Sequence, residues 1–253
     1  MTKRLEGKAI VVTGAARGLG REYALRFATE GAQLTLADIS DCSETVNRCE
    51  ALGAEVLGLT TDVSDEAATL DMARQANEHF GRIDGLMNNA GIMRDLNVKS
   101  LLDVDMKTWD RVFAVNTRGT FLGIRAVFPY MQEHRAGTII NVGSGTMLRV
   151  ARAVDAVNPQ YVASKSAIMG ITRSVAKELG QYGINVVTLA PGSTMSDRDP
   201  AVLPQDATRE PTVSLGRAGV PSDVTGVAAF LFSDDAKFIS GQMLVVNGGR
   251  EVY

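Results

Sequence analysis

Short runs of β-branched and aliphatic residues recur along the chain at 8–13, 33–38, 55–60, 85–87, 138–142, 185–190 and 243–246. The stretches between them place apolar residues at helical spacing, so the order reads strand, helix, strand throughout. Runs that are apolar on both faces suit a parallel sheet covered on both sides, because each parallel crossover needs a helix and each helix needs a face to cover. The pattern therefore predicts an α/β fold, doubly wound, with about seven strands and helices on both faces.

No Pro/Ser/Gly linker and no repeat of fixed period divides the chain. A chain of 253 residues that is 45% hydrophobic can bury one large core. Residues 1–253 are accordingly read as one dinucleotide-binding and catalytic domain. The one irregular stretch, 192–219, holds Pro200, Pro204 and Pro211 among charged residues, and a loop of that length in a compact domain is expected to bind substrate.

The net charge is −3, with no basic run longer than Lys3-Arg4, so no footprint for nucleic acid or an anionic membrane is visible. A small, roughly neutral partner is expected. Glu6, Gly7 and Lys8 precede the first apolar run, and nowhere do eighteen apolar residues run together, so neither a signal peptide nor a membrane span is expected. Seven residues of helix would set Cys42 and Cys49 about 10 Å apart, too far for a disulfide. Unpaired thiols suit a reducing cytosol, and a cytoplasmic protein is the expectation.

The first strand runs into Thr13-Gly14-Ala15-Ala16-Arg17-Gly18-Leu19-Gly20 and then a helical pattern. Glycines at 14, 18 and 20 tighten the turn, let backbone approach a pyrophosphate and seat the helix on the sheet. The helix N-terminus then offers N–H groups and a positive dipole end to phosphates. This is the Rossmann-type arrangement.

Asp38 ends the second strand, eighteen positions past Gly20, near the spacing at which an acidic side chain meets the adenosine ribose. Its charge repels a 2′-phosphate by about 4 kcal/mol per unit charge at 4 Å and an effective dielectric near 20. Arg17 pulls the other way, but an exposed ion pair contributes only about 0–1 kcal/mol. NAD is expected as cofactor, with NADP the less favoured. The other role open to Asp38 is N-cap of a helix beginning near Asp41. Beyond it, Ile39, Asp62-Val63 and Asn88-Asn89-Ala90-Gly91 fall at carboxyl ends of strands, where open α/β sheets place ligands, although Asn88 and Asn89 also suit a turn.

Tyr161 and Lys165 stand four apart at the start of a helical segment and project from one face. A phenol with a reference pKa near 10 becomes a useful base only if lowered by about three units, which takes roughly 4 kcal/mol of phenolate stabilisation. An ammonium nearby contributes to that. Alone, a Tyr-x-x-x-Lys pair is more often an ordinary surface pair; its context changes the reading.

The chain resembles the short-chain dehydrogenases/reductases. Residues 13–20 are similar to their cofactor turn, residues 88–91 to their NNAG segment and Tyr161/Lys165 to their active-site pair, with Asn116 and Ser144 at the other two positions of their tetrad. The likeness continues through Pro191-Gly192, residues 216–221 and residues 241–249.

The resemblance implies that Tyr161 exchanges a proton with the substrate oxygen while hydride passes between substrate carbon and nicotinamide. Ser144 hydrogen bonds that oxygen, Lys165 holds the nicotinamide ribose and lowers the Tyr161 pKa, and Asn116 positions a water linking Lys165 to solvent. Thr194 is the candidate for the nicotinamide carboxamide. Homo-oligomers, tetramers or dimers, are the family expectation.

Ser144 and Tyr161 are seventeen positions apart, about four more than is usual in the family, and the extra residues lie beside the expected substrate cavity. Val187 and Asn247 replace the family's frequent Asn and Asp. Met147, Leu148, Val150 and Met195 point to an apolar cavity, whereas Arg149, Arg152 and Arg198 suit an anionic group. His79 and His134 are read as helix-end cations and Trp109/Phe113 as a packing stripe, so no metal is expected.

The expected activity is thus an NAD-dependent alcohol dehydrogenase or ketone reductase with an alcohol/carbonyl substrate. An NADPH-dependent 3-oxoacyl-type ketoreductase and a non-catalytic dinucleotide-binding regulator are the alternatives.

Overall fold

The computed structural model describes residues 3–148, 157–194, 210 and 212–250. Its strands are β1 (Ala9–Thr13), β2 (Gln33–Asp38), β3 (Val56–Thr60), β4 (Gly85–Asn88), β5 (Gly137–Val142), β6 (Ile184–Pro191) and β7 (Met243–Val246). All pair in parallel, in the order β3-β2-β1-β4-β5-β6-β7. The strand order reverses between β1 and β4, and the carboxyl ends of those two strands open the crevice where such sheets bind ligands.

The helices are α1 (Gly18–Thr29), α2 (Ser43–Glu50), α3 (Glu66–Phe80), α4 (Met106–Phe113), α5 (Gly119–His134), α6 (Pro159–Gly180) and α7 (Pro221–Phe232). Local chemistry sets several of their ends. Asp65 caps α3 by accepting from Ala68 N–H, Gly81 ends it in the left-handed region, and Asp105 caps α4 through Thr108 N–H. A π-helical turn, Ala114–Arg118, joins α4 to α5.

Alternation along the strands divides the core into two layers. Ile10, Val12, Leu34 and Leu36 face Tyr23 and Phe27 of α1 and Phe232 of α7, where Phe27 meets Phe232 edge to face. Val11, Leu86, Ile139 and Val186 face the other way, against Met72 of α3, Val127 of α5 and Leu179 of α6. With both faces buried, the inner strands carry no polar alternation, which is why they read as continuous apolar runs, whereas the edge strands β3 and β7 are only partly covered. Val187 falls in the first layer at 1% exposure, so a packing role accounts for the hydrophobe there.

Both cysteines are free and buried, Cys42 just before α2 and Cys49 near its end. Burial pushes each thiol up to about 11. His79 lies in the last turn of α3, with Nε2 3.3 Å from Glu55, and Trp109 stacks on Phe113 at 5.2 Å. Among the described residues no helix is long and apolar enough to cross a membrane.

Candidate active site

The turn after β1 is a cradle that side chains would fill. A Cβ on Gly14, whose φ is +68°, would lie 2.7 Å from Ala90 Cα, and one on Gly20 would lie 1.8 Å from the Gly14 carbonyl oxygen. Asn89 fastens this turn to β4: its Nδ2 donates to the carbonyls of Thr13 (3.0 Å) and Gly14 (3.1 Å). Thr13 Oγ1 in turn accepts from Asn89 N–H (3.1 Å) and Ala90 N–H (3.2 Å). Asn88 points into the core instead, donating to the Thr120 carbonyl and Asn141 Oδ1. The two adjacent asparagines therefore do different things, a separation that their sequence neighbourhood does not reveal.

Above the turn lies a cavity of about 780 Å³. Gly14, Arg17, Gly18, Leu19 and Gly20 line one part of it, at the start of α1. No side chain caps that helix start, so its first N–H groups remain available to an anion. Asp38 and Ile39 line the end of β2, where Ile39 is 60% exposed and offers an apolar surface at the rim.

The Asp38 carboxylate accepts from Ala16 N–H at 3.0 Å and Ser40 N–H at 2.9 Å. Asp38 is thus no N-cap: α2 begins at Ser43 after Cys42. Asp62 and Val63 line the cavity beyond β3, and Asp62 is held well below the usual carboxylate range by hydrogen bonds from Ser64. Ala90 and Gly91 follow from β4, and Pro191, Gly192 and Thr194 from β6. Asn247, past β7, packs against Gly192 and accepts from Gly249 N–H at 3.0 Å, which gives it a turn-ordering place.

Ser144, Tyr161 and Lys165 converge on the same cavity. Burial pushes the Tyr161 phenol up, and the Ser144 hydroxyl beside it pulls it back. Burial also lowers Lys165 to about 8. Its Nζ donates to the Val142 carbonyl at 2.8 Å. Thr146, absent from the sequence-based candidates, donates to Ser144 Oγ at 2.9 Å and so orients it. A Ser-x-Thr spacing is the one local signal that pointed there.

Asn116 does not line the cavity and is fully buried in the π-helical turn. Its Oδ1 accepts from Ile92 N–H at 2.7 Å, and its Nδ2 donates to the Ile92 carbonyl and to Ser164 Oγ. It therefore ties the segment after β4 to α6, the helix that carries Tyr161 and Lys165. A Cβ on Gly91 would sit 3.3 Å from Asn116 Oδ1 and 3.4 Å from Lys165 Nζ, so the backbone there passes close to both.

Toward the outer cavity the wall is Met93, Arg94, Asn97, Thr146, Asn158, Glu210 and Arg250. Met147 packs toward Gly143 and neither it nor Leu148 reaches the cavity wall, contrary to the apolar-cavity expectation for them. Val150, Met195, Arg149, Arg152 and Arg198, together with most of the expected loop 192–219, lie outside the described residues.

A glycine cradle at an uncapped helix start, a carboxylate one strand away and a phenol–ammonium pair at the far end fit an extended dinucleotide with its reactive ring beside Tyr161. Over residues 14–251 the sequence matches the family described as Enoyl-(Acyl carrier protein) reductase. Levodione reductase of Leifsonia aquatica is 34% identical, covering 98% of this chain and 96% of that protein. The 3-oxoacyl-(acyl-carrier-protein) reductase FabG of Thermotoga maritima is 37% identical, covering 97% and 98%. A hydroxy(phenyl)methylsuccinyl-CoA dehydrogenase subunit, BbsD, of Thauera aromatica is 37% identical, covering 98% of both.

Among solved structures, levodione reductase superposes with a TM-score of 0.85 at 33% identity, covering 98% of both chains. A short-chain dehydrogenase/reductase from Serratia marcescens superposes with a TM-score of 0.87 at 30% identity, covering 98% and 100%. Likeness over nearly the full length, in sequence and in fold, makes this chain a member of the short-chain dehydrogenase/reductase family of nicotinamide-dependent oxidoreductases.

Proposed function

We propose that the protein is an NAD-dependent dehydrogenase/reductase that interconverts a secondary alcohol and its ketone. The convergence of Ser144, Tyr161 and Lys165 on the wall of one cavity carries this reading. A bound nicotinamide supplies the hydride chemistry. Tyr161 takes the hydroxyl proton as the alcohol is oxidised and returns it to the carbonyl oxygen on reduction. Ser144 hydrogen bonds the same oxygen, and Lys165 places a positive charge near the phenolate. Asn116, through Ile92 and Ser164, keeps the Tyr161 helix in register; a water held near it for proton passage belongs to the same reading.

NAD is favoured over NADP by Asp38, whose carboxylate lines the cavity with both oxygens anchored by backbone N–H groups. An anchored carboxylate accepts ribose hydroxyls and repels a 2′-phosphate. The second reading, an NADPH-dependent 3-oxoacyl-type reductase, draws on the exposed Arg17 at the cavity wall and on the likeness to FabG. A purely regulatory dinucleotide binder has less support, since binding alone requires neither Ser144 nor a phenol at 161.

Turnover of a panel of secondary alcohols and ketones, followed at the NADH absorbance with each cofactor, tests the proposal. Higher kcat/KM with NAD is expected. Preference for NADP would favour the second reading, and tight NADH binding without turnover of any panel member the third. We also read the protein as cytoplasmic and homo-oligomeric. Exposed Met106 and Phe121 on α4 and α5 support the latter, and a monomer mass in solution would count against it.

A further inference from the structure

The turn that faces the nucleotide is gripped from behind by α2. Thr45, fully buried in the first turn of α2, donates from Oγ1 to the Ala15 carbonyl at 3.0 Å. Arg21 donates from Nη2 to the Ala16 carbonyl at 2.6 Å and from Nε to Thr45 Oγ1 at 3.1 Å. Glu44 holds Arg21 by a two-pronged pair, Nη1 to Oε1 and Nη2 to Oε2, both at 2.8 Å. Three residues of two helices, Arg21 of α1 with Glu44 and Thr45 of α2, thus form one network on two consecutive carbonyls.

A trans peptide is planar, with its carbonyl and N–H pointing in opposite directions. Fixing the Ala15 carbonyl on Thr45 therefore aims the N–H of the same peptide, that of Ala16, the other way, and there it meets Asp38 Oδ2 at 3.0 Å. The next peptide is fixed likewise, by Arg21 on the Ala16 carbonyl. The Asp38 carboxylate is consequently aimed by α2, although α2 contributes none of the residues that line the cavity.

We infer that Glu44, Thr45 and Arg21 are positioning residues for nucleotide selection: they hold the Ala15–Ala16 turn so that Asp38 presents an immobilised carboxylate to an adenosine ribose diol. The inference rests on the proposed pairing of Asp38 with that ribose. A paired, bidentate Arg–carboxylate unit is geometrically exacting, so Glu44→Gln weakens the grip without removing bulk. Thr45→Val removes the hydroxyl and keeps the shape, and Thr45→Ser keeps the hydroxyl.

The experiment is a fluorescence titration of the purified full-length protein with NADH and with NADPH, for wild type, Glu44→Gln, Thr45→Val, Thr45→Ser and Asp38→Ala. Cofactor-free thermal melts and kcat at saturating cofactor accompany it. Glu44→Gln and Thr45→Val are expected to weaken NADH binding about three- to tenfold, the loss of one or two hydrogen bonds. NADPH affinity stays within twofold, kcat stays within twofold, and Thr45→Ser restores NADH binding.

Unchanged NADH affinity in both variants overturns the inference. So does an equal loss of NADH and NADPH that tracks a lower melting temperature, which is general loosening. Asp38→Ala separates the two levels: if it leaves the NADH/NADPH ratio unchanged, the ribose assignment fails and this inference with it. If Asp38→Ala moves the ratio while the α2 variants do not, only the inference fails.

Discussion

Lys165 Nζ donates to the carbonyl oxygen of Val142 at 2.8 Å, joining the Tyr161 helix to the end of the strand that delivers Ser144. The bond sets an ammonium in the core of the site, and burial lowers its pKa to about 8. Held in place this way, the charge is costly to the fold.

That cost is measurable. A lysine whose pKa falls from 10.5 to about 8 on folding destabilises the native state fully below the lower value, and the penalty disappears as pH rises through the higher one. In urea denaturation without cofactor, Lys165→Met is expected to gain stability relative to wild type by about 2 kcal/mol more at pH 7 than at pH 9.5. A difference between the two proteins that does not change with pH would show that Lys165 is not a destabilised cation.

Ser144→Ala removes the donor proposed for the substrate oxygen together with the hydroxyl that lowers the Tyr161 phenol. Loss of such a donor typically costs about 10²–10³ in kcat. Because Ser144 opposes the upward push of burial on Tyr161, the rise of alcohol oxidation with pH is also expected to move to higher pH in the variant. A pH–rate profile checks both effects, and an unmoved profile would detach Ser144 from the phenol.

Thr146→Val keeps the volume and deletes the donor to Ser144 Oγ. One lost hydrogen bond of about 1 kcal/mol predicts a several-fold fall in kcat, with cofactor affinity unchanged. Steady-state kinetics with saturating cofactor is the check.

Gly20→Ala puts a methyl group where the Gly14 carbonyl oxygen already sits. The turn must open, so NADH titration is expected to show at least a tenfold loss of affinity and a melt to show a lower transition temperature. Normal binding would mean that the cradle is not the phosphate site.

The fold was legible because its signals are local. Strands apolar on both faces, a glycine-rich turn before α1 and an acidic residue at the end of β2 each report on a few consecutive positions, and the seven strands fall within one or two residues of where the runs predict. The phenol and ammonium at 161 and 165 were legible for the same reason, since i and i+4 share a helix face. The contacts that hold the site together were not.

The links from Asn116 to Ile92 and Ser164 join residues 24 and 48 positions apart, and the grip of Arg21 on Glu44 spans 23. Such contacts exist only once the sheet has brought the loops together. Asn88 and Asn89 show the limit sharply: adjacent and identical, one is a core cross-link and the other locks the cofactor turn, because successive positions at a strand end face opposite ways.

The most direct test is hydride transfer by Tyr161→Phe, followed as NADH formation from a secondary alcohol that wild type oxidises, with NADH titration as the control for binding. The variant keeps the ring and loses only the phenol oxygen. Cofactor affinity within a few-fold of wild type, with turnover reduced at least a hundredfold, is the predicted result. Turnover close to that of wild type would contradict it.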